Sequence, residues 1–321
     1  MENEIKKGTK VSILGAGNVG ATIAYTLAAS GICSEIVLID INKDKAEGEA
    51  MDIRQGLAFC PTVKVSSADY DAAADSDIVV VTMGMARKPG MTRIDLAQTN
   101  INIVKSVMPG IAKIAPNAVY LVVSNPVDIL TYAIIKCTGL SPKQVIGSGT
   151  MLDSSRLRSM VADHVDINIK NVHSYVFGEH GDTSMIPWSL TTIAGMPMEE
   201  YCNSVCNNDK PCTKEGILAI EEEVRTAGAE VIKRKGATYY AIALSVRKIC
   251  NDILRNSGAV LTVSGLINDR YGISDVCLSL PFIIGGHGIK GEITPKLTDD
   301  EIKQVQASAA ALKKVIAELN I

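Results

Sequence analysis

Histidine is scarce in this chain. His164, His173, His180 and His287 are the only four, so any imidazole chemistry is confined to these positions. Long apolar runs are also missing. The longest, such as residues 78–81 and 119–123, fit buried strands and fall far short of the ~20 residues that cross a bilayer. Charge of one sign is not in excess. The net charge of −3 offers no basic patch to nucleic acid or to an anionic membrane surface. The first seven residues are charged and lack the apolar core of a secretory signal, so a cytoplasmic protein is expected. No Cys-x-x-Cys pair occurs among the eight cysteines. Cys33, Cys60, Cys137, Cys250 and Cys277 stand in apolar contexts and read as small core residues. Cys202, Cys206 and Cys212 share a polar, Asn-rich stretch with no histidine nearby, which reads as a reduced surface segment rather than a metal site. No metal is expected.

What is present is ordinary globular material, 321 residues with 47% hydrophobic and 21% charged. That length holds two domains or one large α/β unit. Residues 10–14 form a short apolar strand, followed by Gly-Ala-Gly-Asn-Val-Gly at 15–20 and small apolar residues at helical spacing over 21–29. Strand, GxGxxG and helix in that order are what a dinucleotide fingerprint requires. Gly15 permits the tight turn, Gly17 lets a pyrophosphate approach the backbone, and Gly20 lets the helix pack on the strand. The helix N-terminus then faces the phosphates. A second strand over 35–39 ends at Asp40, 20 residues after Gly20. Its carboxylate suits ribose hydroxyls and repels a 2′-phosphate, which favours NAD over NADP; Lys43 and Lys45 are the nearest cations.

Further strands are expected at 62–65, 77–82, 118–124 and 144–147, separated by helical stretches that include 94–115. This alternation predicts a Rossmann-type, doubly wound parallel sheet over residues 1–150, with a mixed α+β substrate domain over 151–321. Ligands of such sheets bind beyond the C-terminal strand ends, where the loop 84–93, Asn125 and Ser148 fall. In the second half a strand over 172–177 runs into the turn Gly-Glu-His-Gly-Asp at 178–182. Glycines on both sides of His180 let the chain bend sharply and present the imidazole, which titrates near neutral pH. From this stretch alone, an incidental surface histidine and a proton carrier are both open. Helices are expected at 152–160, 213–233, from 235 to 255 and 298–319, and strands at 260–266 and 276–284.

Taken together and in order, the fingerprint at 15–20, Asp40, the loop from Arg87 to Arg93, Val-Val-Ser-Asn-Pro-Val-Asp at 122–128, Gly-Ser-Gly-Thr at 147–150 with Asp153, Gly-Glu-His-Gly-Asp and Lys-Gly-Ala-Thr-Tyr-Tyr at 235–240 resemble the L-lactate/malate dehydrogenase family over nearly the whole chain. The resemblance implies that His180 exchanges a proton with the substrate and that Asp153 pairs with it. It implies that Arg156 binds the substrate carboxylate, that Arg93 closes over the site and polarises the carbonyl, and that Asn125 and Thr238 line the same pocket. Cofactor contacts are implied at Gly15, Gly17, Asn18, Val19, Gly20, Asp40, Gly84, Asn100, Val123, Asn125 and Ser148. The peptide bond from Asn125 to Pro126 is cis in relatives. A homo-oligomer, tetramer or dimer, is also implied.

Six residues before the closing arginine, lactate enzymes of the family typically carry Gln and malate enzymes Arg; here the position is Arg87. Oxaloacetate would give Arg87 a carboxylate partner, whereas pyruvate would leave a buried guanidinium unpaired at about 3–5 kcal/mol, roughly 10²–10³-fold in rate. Met91, where the lactate-type loop commonly has an acid, points the same way. The expectation is therefore an NAD-dependent malate dehydrogenase on a lactate-dehydrogenase-like frame. The alternative is an L-lactate dehydrogenase, because the rest of the framework, including Thr238, looks lactate-like. Arg158 and His173 match positions that bind fructose 1,6-bisphosphate in allosteric lactate enzymes, or are inherited interface residues without an effector. A non-catalytic dinucleotide-binding redox sensor would need the set of His180, Asp153 and Arg156 to be broken, and all three are present. The metal-dependent glycosidases that share the fingerprint lack support here, since no metal-ligand cluster occurs in the sequence.

Overall fold

A computed structural model describes residues 8–85, 90–205 and 213–321. The first half alternates β1 (Lys10–Leu14), α1 (Asn18–Ser30), β2 (Glu35–Ile39), α2 (Lys43–Gln55), β3 (Lys64–Ser67), β4 (Ile78–Val81), α3 (Arg93–Ile114), β5 (Val119–Val122), α4 (Val127–Thr138) and β6 (Val145–Gly147). The second half runs α5 (Met151–His164), β7 (Val172–His173), β8 (Thr192–Ile193), β9 (Met196–Pro197), α6 (Met198–Ser204), α7 (Lys214–Lys235), α8 (Tyr240–Leu254), β10 (Val260–Ile267), β11 (Val276–Gly285), β12 (Gly288–Glu292) and α9 (Asp299–Ala317).

Buried Val and Ile dominate β1, β2, β4 and β5, as strands covered on both faces require. The large sheet has the order β12-β11-β10-β6-β5-β4-β1-β2-β3. From β3 to β6 neighbouring strands pair parallel, the doubly wound arrangement expected from the sequence. Across β6 the pairing changes sign, with Gly147 opposite Ser264 on antiparallel β10. Strands β10, β11 and β12 then continue the sheet as antiparallel neighbours, so both halves of the chain share it. A second sheet, β7-β8-β9, is small and sits in the second half. Thr92 opens α3 and Thr298 opens α9, each with a capping box completed by Asp95 and Glu301. Glu301 also accepts from the Ser189 main-chain N–H at 3.0 Å, which ties α9 to the loop that follows the His180 turn.

Several expectations are corrected. The strand expected over 172–177 shrinks to β7, because side chains take over the ladder: the Val176 N–H donates to Ser154 Oγ at 2.9 Å, and the Thr150 hydroxyl donates to the Val176 carbonyl. The third strand is shifted to Lys64–Ser67. The sequence reading passed over α2, α4, α6, β8, β9 and β12 as elements. Strand β12 carries two glycines in five residues, which removes the period-two pattern from view. Cys33, Cys250 and Cys277 are buried, but Cys60 and Cys137 are only partly so. Cys202 is disulfide-bonded rather than reduced; Cys206 and Cys212 lie outside the described residues. No described helix is long and apolar enough to cross a membrane.

Phe282 is fully buried on β11, with the Arg270 guanidinium 4.9 Å from its ring centroid. Replacing Phe282 with Ala should lower unfolding free energy by about 3–5 kcal/mol in a urea titration at fixed protein concentration.

Candidate active site

The first turn is built around backbone proximity. A side chain at Gly20 would place its Cβ 1.9 Å from the Gly15 carbonyl oxygen, so α1 meets β1 only through glycine. At Gly17 a Cβ would meet nothing within 4 Å, which leaves the backbone open to a ligand. Gly17 also caps α1 without a side-chain hydrogen bond, so the first-turn N–H groups are available to an anion. Gly15, Gly17, Asp40 and Gly84 line one groove of about 460 Å³, with Lys45 and Tyr70 beside them. Asp40 stands just past β2 and accepts from the Ala16 main-chain N–H at 2.6 Å and from Asn42 at 2.8 Å. That fixes the carboxylate at the groove wall. Lys43 is paired with Asp69 at 2.6 Å. This donor set fits a dinucleotide with a free ribose diol.

A second cavity, about 330 Å³, adjoins the strand ends. Val19, Val123, Asn125, Ser148, Asp153, Arg156, His180 and Thr238 all line it. Positions far apart in sequence thus converge on one cavity. The Asn125–Pro126 bond is cis. Asn18, the first residue of α1, is exposed. Asn100 does not line either cavity. It is buried and uses its amide on the backbone, accepting from Met85 N at 2.8 Å and donating to the Asn125 carbonyl at 2.8 Å. It therefore holds the loops after β4 and β5 together.

His180 Nδ1 donates to Asp153 Oδ2 at 2.5 Å, and Arg156 Nη1 donates to Asp153 Oδ1 at 2.9 Å. One carboxylate thus bridges an imidazole and a guanidinium. Burial works against the charged imidazole, but the Asp153 charge and hydrogen bond outweigh it and raise the His180 pKa above its usual 6.5. For Asp153, burial works against ionisation, and His180 and Arg156 together hold its pKa below the carboxylate norm. Arg93, first residue of α3, forms an ion pair with Asp182 at the end of the His180 turn, and both side chains are mostly exposed. Arg87 lies outside the described residues.

Helix α7 supplies a wall that the sequence reading did not identify. Val224, Arg225, Gly228, Ala229 and Ile232 face the cavity at helical spacing. A Cβ at Gly228 would stand 3.6 Å from Arg156 Nη2, so the smallest residue lies over the carboxylate-binding candidate. Arg225 pairs with Glu221 at 3.3 Å, and Glu221 accepts from Trp188 Nε1 at 2.6 Å. The available signal was the spacing 224, 228, 232, which also fits an ordinary buried face. Arg158 and His173 lie together on a different cavity, about 460 Å³, which Lys248 also lines. Arg158 Nε donates to the Val172 carbonyl at 2.8 Å.

Residues 9–147 match the family model for the lactate/malate dehydrogenase NAD binding domain, and residues 150–320 match that for the lactate/malate dehydrogenase alpha/beta C-terminal domain. The chain belongs to the lactate/malate dehydrogenase family. Its cofactor is NAD. An L-lactate dehydrogenase 1 of Clostridium acetobutylicum is 49% identical over 310 residues, 97% of this chain and 98% of that one. An L-lactate dehydrogenase of Thermoanaerobacter sp. is 47% identical over 312 residues, 97% of this chain and 99% of that one. A solved lactate dehydrogenase from a Medee basin deep-sea metagenome library superposes with a TM-score of 0.93 at 38% identity, covering 97% of this chain and 99% of that chain. These relatives favour the lactate alternative over the malate reading drawn from Arg87. That reading rested mainly on one loop side chain, whereas the likeness extends over the whole framework.

The raised His180 pKa has a definite sign. The imidazolium persists below it and is lost as pH rises through it, so reduction of a 2-oxo acid should fall along that limb while oxidation of the hydroxy acid rises. Replacing His180 with Asn should lower kcat by about 10²–10⁴-fold and leave NADH binding, followed by fluorescence, intact. A variant that keeps its turnover would remove His180 from the chemistry.

Proposed function

We propose that the protein is an NAD-dependent L-lactate dehydrogenase that interconverts pyruvate and L-lactate. The observation that carries this is the chain of contacts from His180 through Asp153 to Arg156 in a cavity beside the dinucleotide groove. It is joined by full-length similarity to proteins named L-lactate dehydrogenase. In this reading residues 1–150 hold the cofactor and residues 151–321 supply the substrate site. The enzyme works as a homo-oligomer in the cytoplasm.

The chemistry follows from the charges. Arg156 binds the substrate carboxylate through a two-pronged pair, exchanging part of its contact with Asp153 for it. The imidazolium of His180 donates its Nε2 proton to the carbonyl oxygen, and Asp153 stabilises the charged ring before that transfer. Arg93 leaves Asp182 and turns inward to polarise the same oxygen, which fits a side chain at the start of a helix next to a loop. Asn125 and Thr238 shape the pocket, and helix α7 covers it against water. NADH, when bound, supplies the hydride to the carbonyl carbon.

A second reading, malate dehydrogenase, is favoured by Arg87 in the sequence. It is also supported by Arg225, a guanidinium in the cavity wall besides Arg156. Both would suit a dicarboxylate. The effector reading of Arg158 and His173 is retained as part of the proposal, since both line one cavity with Lys248.

NADH oxidation with pyruvate and with oxaloacetate, run in parallel, separates the two substrates. The lactate reading expects the higher kcat/KM with pyruvate. An advantage for oxaloacetate of about tenfold or more, equivalent to ~1.4 kcal/mol of transition-state binding, would transfer the assignment to malate. In that case Arg87→Gln should swing preference back toward pyruvate. Fructose 1,6-bisphosphate should change the rate with the wild type and not with Arg158→Ala; a rate indifferent to it at every pH removes the effector reading.

A further inference from the structure

Asp128 lies in the first turn of α4, is 2% exposed, and forms no part of the substrate cavity wall. Each of its two oxygens accepts a hydrogen bond. Oδ2 accepts the main-chain N–H of His180 at 2.8 Å, and Oδ1 accepts the hydroxyl of Ser264 on β10 at 2.6 Å. Neither bond serves its own helix, whose start at Pro126 has no side-chain cap. A buried carboxylate without a cation in contact is expensive unless its bonds do something a neutral side chain would not.

Its position explains what that is. Asp128 follows Asn125 by three residues, so one short segment reaches both the loop held by Asn100 and the turn that carries His180. The same turn is fixed on its other flank, where Glu179 N donates to Ser308 Oγ at 2.9 Å and Gly178 N to the Ser279 carbonyl at 2.9 Å. The imidazole itself is held by Asp153. We infer that Asp128 is a positioning residue for His180: by accepting the main-chain N–H of His180 it sets the turn that presents the imidazole, and it brings a second carboxylate against that turn.

The groups facing Asp128 are His180 and Glu179 on the turn, Ser264 on β10 and Cys277 on β11. Burial raises the Asp128 pKa to about 6, while the Ser264 and His180 hydrogen bonds and the His180 charge oppose the rise; Glu179 adds to it. The Cys277 thiol is buried and stays neutral, its pKa pushed well up. The Asp128 charge raises the His180 pKa in addition to that of Asp153.

The inference rests on the proposed role of His180 as proton donor, and the test keeps the two apart. Asp128→Asn preserves the shape, since its oxygen can still accept from His180 N–H and its amide can donate to Ser264, but it removes the charge. Asp128→Ala removes both. With only four histidines in the chain, an NMR titration of 13C-labelled histidine reads the His180 midpoint without turnover. In Asp128→Asn that midpoint should fall by about half to one pH unit, and the alkaline limb of pyruvate or oxaloacetate reduction should move with it. At low pH its kcat should stay close to wild type and NADH affinity should not change. Asp128→Ala should in addition lose about 10²-fold in kcat through a misplaced turn, with KM for NADH unaltered. An unmoved midpoint in Asp128→Asn overturns the inference, as does an Asp128→Ala enzyme as active as Asp128→Asn. If Asp128→Ala does not fold, the Asn variant alone decides. A wild type that reduces neither oxo acid would sink the functional reading, while the titration would still judge Asp128.

Discussion

The contact between His180 and Asp153, 2.5 Å long and largely screened from water, is the constraint that the surrounding structure serves. Burial opposes both charges, and each is sustained by the other. Such a pair stays charged only where further partners satisfy its remaining atoms. Arg156 takes the second oxygen of Asp153 from one turn further along α5. Asp128, Ser279 and Ser308 hold the backbone of the histidine turn from three different elements. The doubly wound sheet supplies the frame, because the loops after β4, β5 and β6 open on the same side as the cofactor groove.

Much of this was legible in the sequence because it depended on local patterns. A glycine that a Cβ would drive into a carbonyl oxygen can be read from GxGxxG after a strand. Asp40, Arg156 and His180 could be identified from spacing and likeness, and they fall where the cavities are. What was hidden depended on long-range placement. Asp128 looked like part of an Asn-Pro motif, and nothing local shows that its carboxylate reaches residues 180 and 264. Asn100 resembles a ligand contact in the sequence but is consumed by backbone of two loops. The wall of α7 carries Gly228 and Ala229, small residues that read as helix filler until Arg156 is seen beneath them.

The two ion pairs of the histidine turn differ in how firmly they are held. Arg93 and Asp182 form a contact at the surface, where a salt bridge is worth about 0–1 kcal/mol, so breaking it costs little. The inner pair of His180 and Asp153 has no such freedom. The outer pair is therefore weakly held, and the inner one is tied from several directions.

The antiparallel joint between β6 and β10 also bears on how the chain is made. Gly147 pairs with Ser264, so the edge of the first-half sheet is completed by a strand synthesised more than a hundred residues later. While the chain emerges from the ribosome, β6 is a bare strand edge, open to pairing with another nascent chain. Until β10 has been synthesised, sheltering that edge falls to whatever meets the nascent chain.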